Sequence, residues 1–185
     1  MANGVRLRET TADDADSLAR IYAHAVLHGV GTFEETPPPP AEMERRRAEV
    51  AGYGLPHLVA QDDAGGVLGF AYAGPFRTRA GYRWTAETTV YVAPQAHGRG
   101  VGGALLGEVV ARCEALGLRQ LIAVIGGSDN AGSVAVHARH GFERTGILPH
   151  VGVKFGRWVD VVLMRRDLNG GASDVPATAG LPFPH

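Results

Sequence analysis

The stretch that most constrains the fold is Thr88–Leu106, TTVYVAPQAHGRGVGGALL. Thr89-Val90-Tyr91-Val92 reads as a strand, and Pro94 stops it. A loop with Gly98, Gly100, Gly102 and Gly103 follows, and Ala104-Leu105-Leu106 opens a helix. A strand, a glycine loop and a helix start together make a device for holding phosphate. Glycines permit positive φ and close backbone approach to a ligand. The helix start adds unpaired N–H groups and the positive end of the dipole.

Three readings of the loop compete. Gly98-Arg99-Gly100-Val101-Gly102-Gly103 formally satisfies G-x-G-x-x-G. A dinucleotide domain, however, opens with this strand rather than placing it mid-chain, and it wants an acidic residue after the next strand, where Ile125-Gly126-Gly127 stand. A Walker loop is excluded more firmly, because no lysine and no Ser/Thr follow the glycines. A plain turn that binds nothing is the third reading. Four glycines beside Arg99 are costly to hold in order, which favours a ligand.

The rest of the chain is arranged around this element. Val5–Arg8 alternates as a short strand. Thr11 with Asp14 resembles a capping box for a helix carrying Leu18, Ile21, Tyr22, Ala25 and Val26, which stops near Gly29. After the Gly31–Thr36 loop, Pro40 introduces a polar helix over Ala41–Val50. His57–Gln61 and Val67–Ala73 flank Asp62–Gly66 as a hairpin. Phe76–Arg83 is an exposed loop, and Trp84–Val92 returns as a longer strand into the glycines. The helix behind them puts Val101, Leu105, Val109 and Leu116 roughly on one face and ends at Gly117. Leu121–Ile125 is a continuous apolar run, as in a strand covered on both faces. Asn130–His140 is a short helix, and Glu143–Ile147 and Lys154–Met164 finish as strands. Residues 169–185, rich in Gly, Pro and Ala, read as a disordered tail. This layout fits one α+β or α/β domain over residues 1–168, with a single sheet between helices.

Charge and cysteine content narrow the function. The 185 residues carry a net charge of −1, which suggests neither nucleic acid nor an anionic membrane surface as partner. The single cysteine, Cys113, sits in an apolar helical setting as a buried thiol and fits a reducing compartment. The N-terminal residues lack an apolar signal region, and no apolar run approaches membrane-spanning length. A cytoplasmic protein is expected. Lys154 is the only lysine among 18 basic residues, a bias that reflects genome composition better than function.

Val90-Tyr91-Val92-x-Pro94 followed by His97-Gly98-Arg99-Gly100-Val101-Gly102 resembles the acetyl-CoA signature, Q/R-x-x-G-x-G/A, of Gcn5-related N-acetyltransferases. Asn130-x-x-Ser133-x-x-x-His137-x-x-x-Gly141-Phe142 resembles the next motif of that superfamily. AYAGPF (71–76), YRWTAETTVYV (82–92), AVIGG…N (123–130), VHARHGF (136–142) and VKFGRWVD (153–160) resemble the phosphinothricin/methionine sulfoximine acetyltransferase group. The resemblance spans about residues 5–168. It implies an α+β (α/β mixed) fold with a single, mostly antiparallel central sheet and helices on both faces. Acetyl-CoA is then the co-substrate, no metal is expected, and a homodimer is implied. The chain departs from the pattern at two positions. The usual Gln or Arg is His97, whose contact with a pyrophosphate would depend on pH. A frequent tyrosine is His137, and histidine also stands there in the phosphinothricin group.

Acetyl transfer to an amine needs a base, hydrogen-bond donors and an acid. Glu87 lies on the strand entering the loop, where burial would raise its pKa towards that of a useful base, and the resembled group implicates this glutamate in catalysis. His137 is the expected second catalytic residue, as proton acceptor from the amine or donor to the thiolate, although a lone helical histidine is more often structural. The resemblance assigns the pantetheine arm to the backbone of Val90, Tyr91 and Val92, and the pyrophosphate to His97, Gly98, Arg99, Gly100, Val101, Gly102 and Gly103. Asn130 and Ser133 complete the cofactor set, with Asn130 also suited to cap its helix. For a small amino acid the candidates are Phe33, Glu34, Tyr72, Arg77, Tyr82 and Lys154, with Arg77 or Arg79 suited to a carboxylate. The expected reaction moves an acetyl group from acetyl-CoA to the α-amine of a phosphinothricin- or methionine sulfoximine-type amino acid. Alternatives are another small amine or a protein N-terminus as acceptor, or an acyl-CoA-binding module without turnover.

Overall fold

The computed structural model describes residues 4–177 and 179–183. Residues 1–3 of the expected domain and 178, 184 and 185 of the expected tail lie outside the described residues. Seven strands form one sheet in the order β1-β2-β3-β4-β5-β7-β6. They are β1 (Arg6–Glu9), β2 (His57–Gln61), β3 (Val67–Pro75), β4 (Thr85–Val92), β5 (Gln120–Gly126), β6 (Glu143–Lys154) and β7 (Arg157–Asp167). Every neighbouring pair is antiparallel except β4 and β5. The helices are α1 (Ala15–His28), α2 (Pro40–Gly52), α3 (Val101–Ala115) and α4 (Ala131–Arg139).

Strand alternation divides the core into two layers. Leu58, Ala60, Ala71, Ala73 and Ala86 meet α3 through Leu105, Leu106, Val109, Val110 and Cys113. Val59 and Phe70 meet α1 and α2 through Leu18, Ile21, Tyr22, Val26 and Met43. Helices therefore cover both faces. Leu116, expected on the buried face of α3, is half exposed, because the helix has already ended at Ala115. The Thr11–Asp14 pair forms as expected, the Asp14 carboxylate accepting the Thr11 N–H at 2.8 Å. It closes a short 3-10 turn, and α1 begins only at Ala15.

Three other expectations are corrected. β5 is not covered on both faces: Leu121, Ala123 and Ile125 are buried, while Ile122 is half buried and Val124 exposed. β6 continues past Ile147 to Lys154, and β7 begins at Arg157. Pro149 is tolerated because β6 is the sheet edge and bulges between Leu148 and Gly152. Part of the stretch read as a disordered tail is packed: Leu181 is buried, donates its N–H to Arg83 O at 2.7 Å, and precedes Phe183, whose ring sits 5.8 Å from that of Tyr53.

The pairing of β4 with β5 positions the site. It runs from Thr85↔Gln120 to Thr88↔Ala123 and stops there. Beyond that point β4 continues along β3 to Val92, and β5 continues along β7 to Gly126. Two parallel strands thus part at their carboxyl ends, with the starts of α3 and α4 beside the gap. Open α/β sheets take ligands at such a point.

Candidate active site

The glycine loop closes the gap on the α3 side. Gly98 and Gly100 both have positive φ, 74° and 78°, which a side chain would strain. Gly102 is a glycine for another reason. A Cβ there would come within 3.3 Å of Val92 and 3.7 Å of Val90 on β4, whereas one on Gly103 would make only ordinary contact with His140 at 3.5 Å. Gly102 lets α3 approach β4. Val101 is buried as the first residue of α3, and Arg99 is exposed. His97 donates Nε2–H to the Val92 carbonyl at 3.0 Å, so its ring is turned back onto the strand rather than over the loop.

On the other side, Asn130 caps α4 by accepting the Ser133 N–H at 3.3 Å and donates Nδ2–H to Gly126 O at 3.3 Å. It joins the end of β5 to the start of α4. His137, 4% exposed, donates Nδ1–H to Ser133 O at 2.8 Å and holds Nε2 3.4 Å from Thr88 Oγ1. Burial depresses its pKa, which favours the neutral ring.

Glu87 projects from the opposite face of β4 to Thr88. The structure therefore does not bring Glu87 and His137 together. Burial raises the Glu87 carboxyl above its ordinary value of 4.5, and the Arg77 charge partly opposes that shift. Its partner across the strands is Gly74, which leaves open space beside the carboxyl. Tyr72 lies on the same face; burial raises its phenol pKa, and the nearby Glu87 charge adds to that.

The α1–α2 connection roofs this face. Tyr91 lies edge-on to Tyr22, ring centres 4.8 Å apart, and donates its hydroxyl to Gly31 O at 3.4 Å. Tyr22 donates to Glu34 Oε1 at 2.9 Å, and Arg46 closes on the same carboxylate at 2.7 Å. Glu34 is thus held by two partners, which keep its pKa low against the opposing effect of burial. Phe33 lies against Gly152, where a Cβ would come within 2.3 Å of its ring.

Lys154 does not line an open acceptor pocket. It is 2% exposed and donates Nζ–H to Thr32 O at 2.6 Å. Arg77 is exposed and stacks on Phe76 at 4.3 Å, and Tyr82 packs edge-on against the same ring. Tyr22, Arg46, His57 and Gly126 belong to this region and were not selected from sequence. Periodicity marked Tyr22 only as a helix residue, and Arg46 lay within the polar helix introduced by Pro40. The signal for Gly126 was its doublet with Gly127.

Among the described residues no group of three His, Cys, Asp or Glu side chains could hold a metal, and no helix is long and apolar enough to cross a membrane.

Comparison with known proteins agrees with this geometry. The chain is 49% identical over 170 residues to a phosphinothricin N-acetyltransferase of Alcaligenes faecalis, covering 92% of this chain and 86% of that protein. It is 39% identical over 163 residues to an L-methionine sulfoximine/L-methionine sulfone acetyltransferase of Pseudomonas aeruginosa, covering 88% and 94%. The crystal structure of a GNAT superfamily phosphinothricin acetyltransferase from Sinorhizobium meliloti, in complex with AcCoA, superposes with a TM-score of 0.92 at 45% identity, covering 96% of this chain and 95% of that one. Residues 7–163 match the acetyltransferase (GNAT) domain. The chain belongs to the GNAT acetyltransferase family.

Proposed function

We propose that the protein transfers an acetyl group from acetyl-CoA to the α-amine of a small amino acid, of the phosphinothricin or methionine sulfoximine type. The observation that carries this reading is the parted pair β4/β5 with Glu87 on its open face. Past Thr88, β4 has no strand partner on its β5 side among the described residues, so Thr89–Val92 offers a free backbone edge to an extended pantetheine arm. Gly98 and Gly100, in left-handed backbone before the α3 N-terminus, suit a pyrophosphate. Acetyl-CoA, when bound, supplies a thioester whose C–S bond is exchanged for a C–N bond.

The residues of the chain then divide the work. Glu87 accepts the proton that the attacking amine releases, and its raised pKa makes it a stronger base than an exposed carboxylate. His137 is a positioning residue, holding α4 against β4 through Ser133 O and Thr88 Oγ1. Asn130 and Ser133 fix the start of α4 on the cofactor side. Arg77 receives the acceptor carboxylate, Tyr72 lines the pocket, and Phe33 and Glu34 shape its roof. Tyr82 supports Arg77 through Phe76. Lys154 secures the roof.

We also propose a cytoplasmic homodimer. Ile147, Val151, Val153, Phe155 and Trp158 expose apolar surface along the β6 edge and its hairpin, more than a solvated edge strand ordinarily carries. Cys113, the single cysteine, is a buried free thiol, and a chain with no internal disulfide fits a reducing compartment.

The test follows free thiol release from acetyl-CoA with a panel of phosphinothricin, methionine sulfoximine, other small amines and peptides. Release with the two amino acids supports the reading. Release with peptides alone overturns the acceptor, and tight binding of acetyl-CoA without release on any amine overturns the enzyme.

A further inference from the structure

A cavity of about 190 Å³ lies between α2 and the β2–β3 hairpin, on the Glu87 face of the sheet. Its floor is aromatic. The His57 ring lies flat beside Tyr72, 4.9 Å and 7° apart, and Phe70 continues the same layer 6.0 Å from His57. Met43 and Val50 of α2 form the wall, and Pro75 adjoins the Gly74↔Glu87 pair. The volume equals that of about six waters, enough for a side chain of similar atom count.

Two features give the cavity a chemical preference. His57 is 5% exposed, and its Nδ1 pairs with Thr10 Oγ1 at 2.9 Å. Its Nε2 makes no hydrogen bond among the described residues and is not one of the fully buried atoms left unpaired, so in a cavity-lining ring it is open to a ligand. Burial takes the ring's pKa down to about 4, so this nitrogen belongs to a neutral imidazole. The second feature is that the one Lys or Arg among the described residues lining the cavity is already paired. Arg46, at the rim, is held by Glu34 at 2.7 Å and by Glu42 at 2.8 Å. Glu49, also at the rim, is bonded by Arg45 at 3.0 Å. An anionic side chain entering here would meet carboxylates and no unpaired positive charge, which costs affinity in a desolvated site.

We infer that this cavity receives the acceptor's side chain, and that it selects uncharged polar side chains such as a sulfone or sulfoximine over an anionic phosphinate, with His57 Nε2 as the hydrogen-bond partner of the distal group. The inference rests on the amino-acid acceptor proposed above and narrows it.

The experiment combines steady-state kinetics with calorimetric titration in the presence of coenzyme A, using methionine sulfone, methionine sulfoximine, methionine and phosphinothricin. The expected result is at least tenfold tighter binding of the sulfone and sulfoximine than of phosphinothricin. His57→Phe keeps the ring stack, raises KM for methionine sulfoximine about tenfold with little change in kcat, and leaves methionine unchanged. Glu49→Arg, at the exposed rim, places an unpaired cation beside the cavity and shifts the preference at least fivefold towards phosphinothricin.

Phosphinothricin binding as tightly as the sulfone, with Glu49→Arg without effect, overturns the inference and leaves the acetyltransferase reading standing. Peptide-only turnover, with no amino acid bound in the titration, overturns both.

Discussion

Thr88 Oγ1 lies 3.4 Å from His137 Nε2, on the side of β4 opposite Glu87. Two consecutive strand residues thus separate the two groups expected to act as a catalytic pair. His137 meets Phe142 edge-on at 5.1 Å and spends its Nδ1–H on Ser133 O. His137→Phe is expected to cost about 1–3 kcal/mol of stability, the price of unpairing those buried groups, while kcat falls less than tenfold. Thermal unfolding and kcat measured together check this. A hundredfold loss of kcat at unchanged Tm would return the chemistry to His137.

Glu87→Gln keeps the shape of the site and removes the proposed base. A loss of about 10²–10⁴-fold in kcat is expected from removing a general base, with the KM for acetyl-CoA unchanged. In the unsubstituted protein the acid limb of kcat, at saturating amine, lies above pH 4.5 because burial raises the Glu87 pKa. The Arg77 charge opposes that shift, so Arg77→Ala moves the limb to still higher pH. A limb that stays in place when Arg77 is removed would detach it from Glu87.

Acid should weaken the fold before ordinary carboxylates titrate. His57 is neutral when folded, its pKa lowered from 6.5 to about 4 by burial and by the Arg47 charge. Because the folded value is the depressed one, unfolding takes up a proton between those pH values. The stability this group contributes is complete above about pH 6.5 and is lost as pH falls towards 4, by about 3 kcal/mol. His137 shifts in the same direction. Chemical denaturation at pH 7, 6, 5 and 4 should show this slope, and His57→Phe should flatten it. An equal slope in the variant refutes the assignment.

The order of elements and the strand–glycine loop–helix geometry were legible in the sequence because both rest on local signals: alternation, glycine spacing and caps. The side-chain partners were not, because they depend on which residues a distant segment brings near. Lys154 looked like a substrate contact and is a buried tether, since Thr32 reaches it from 122 positions away. Gly102 looked like a phosphate contact, and its missing side chain also serves packing, since a Cβ there would come within 3.3 Å of Val92 on β4. Glu87 was legible as a half-buried carboxylate on a strand, but its face relative to His137 was not, because that depends on how α4 returns to the sheet.

Gly126 shows how closely the roof is fitted. A Cβ at this position would lie 2.0 Å from Val30 O and 3.4 Å from Gly31 Cα, and backbone cannot rotate aside as a side chain can. Gly126→Ala must therefore push the α1–α2 connection off the end of β5, and with it the roof formed by Phe33 and Glu34. Lys154→Met releases the same connection from its other anchor, leaving Thr32 O without its 2.6 Å donor. Both variants are expected to raise the KM for the amine roughly tenfold, since a 1–2 kcal/mol change in positioning is worth about that factor, while the KM for acetyl-CoA moves less than twofold. Because the two substitutions act on separate anchors of one segment, the double variant should lose less than the sum of the two. Additive losses would mean that Gly126 and Lys154 act on separate parts of the site.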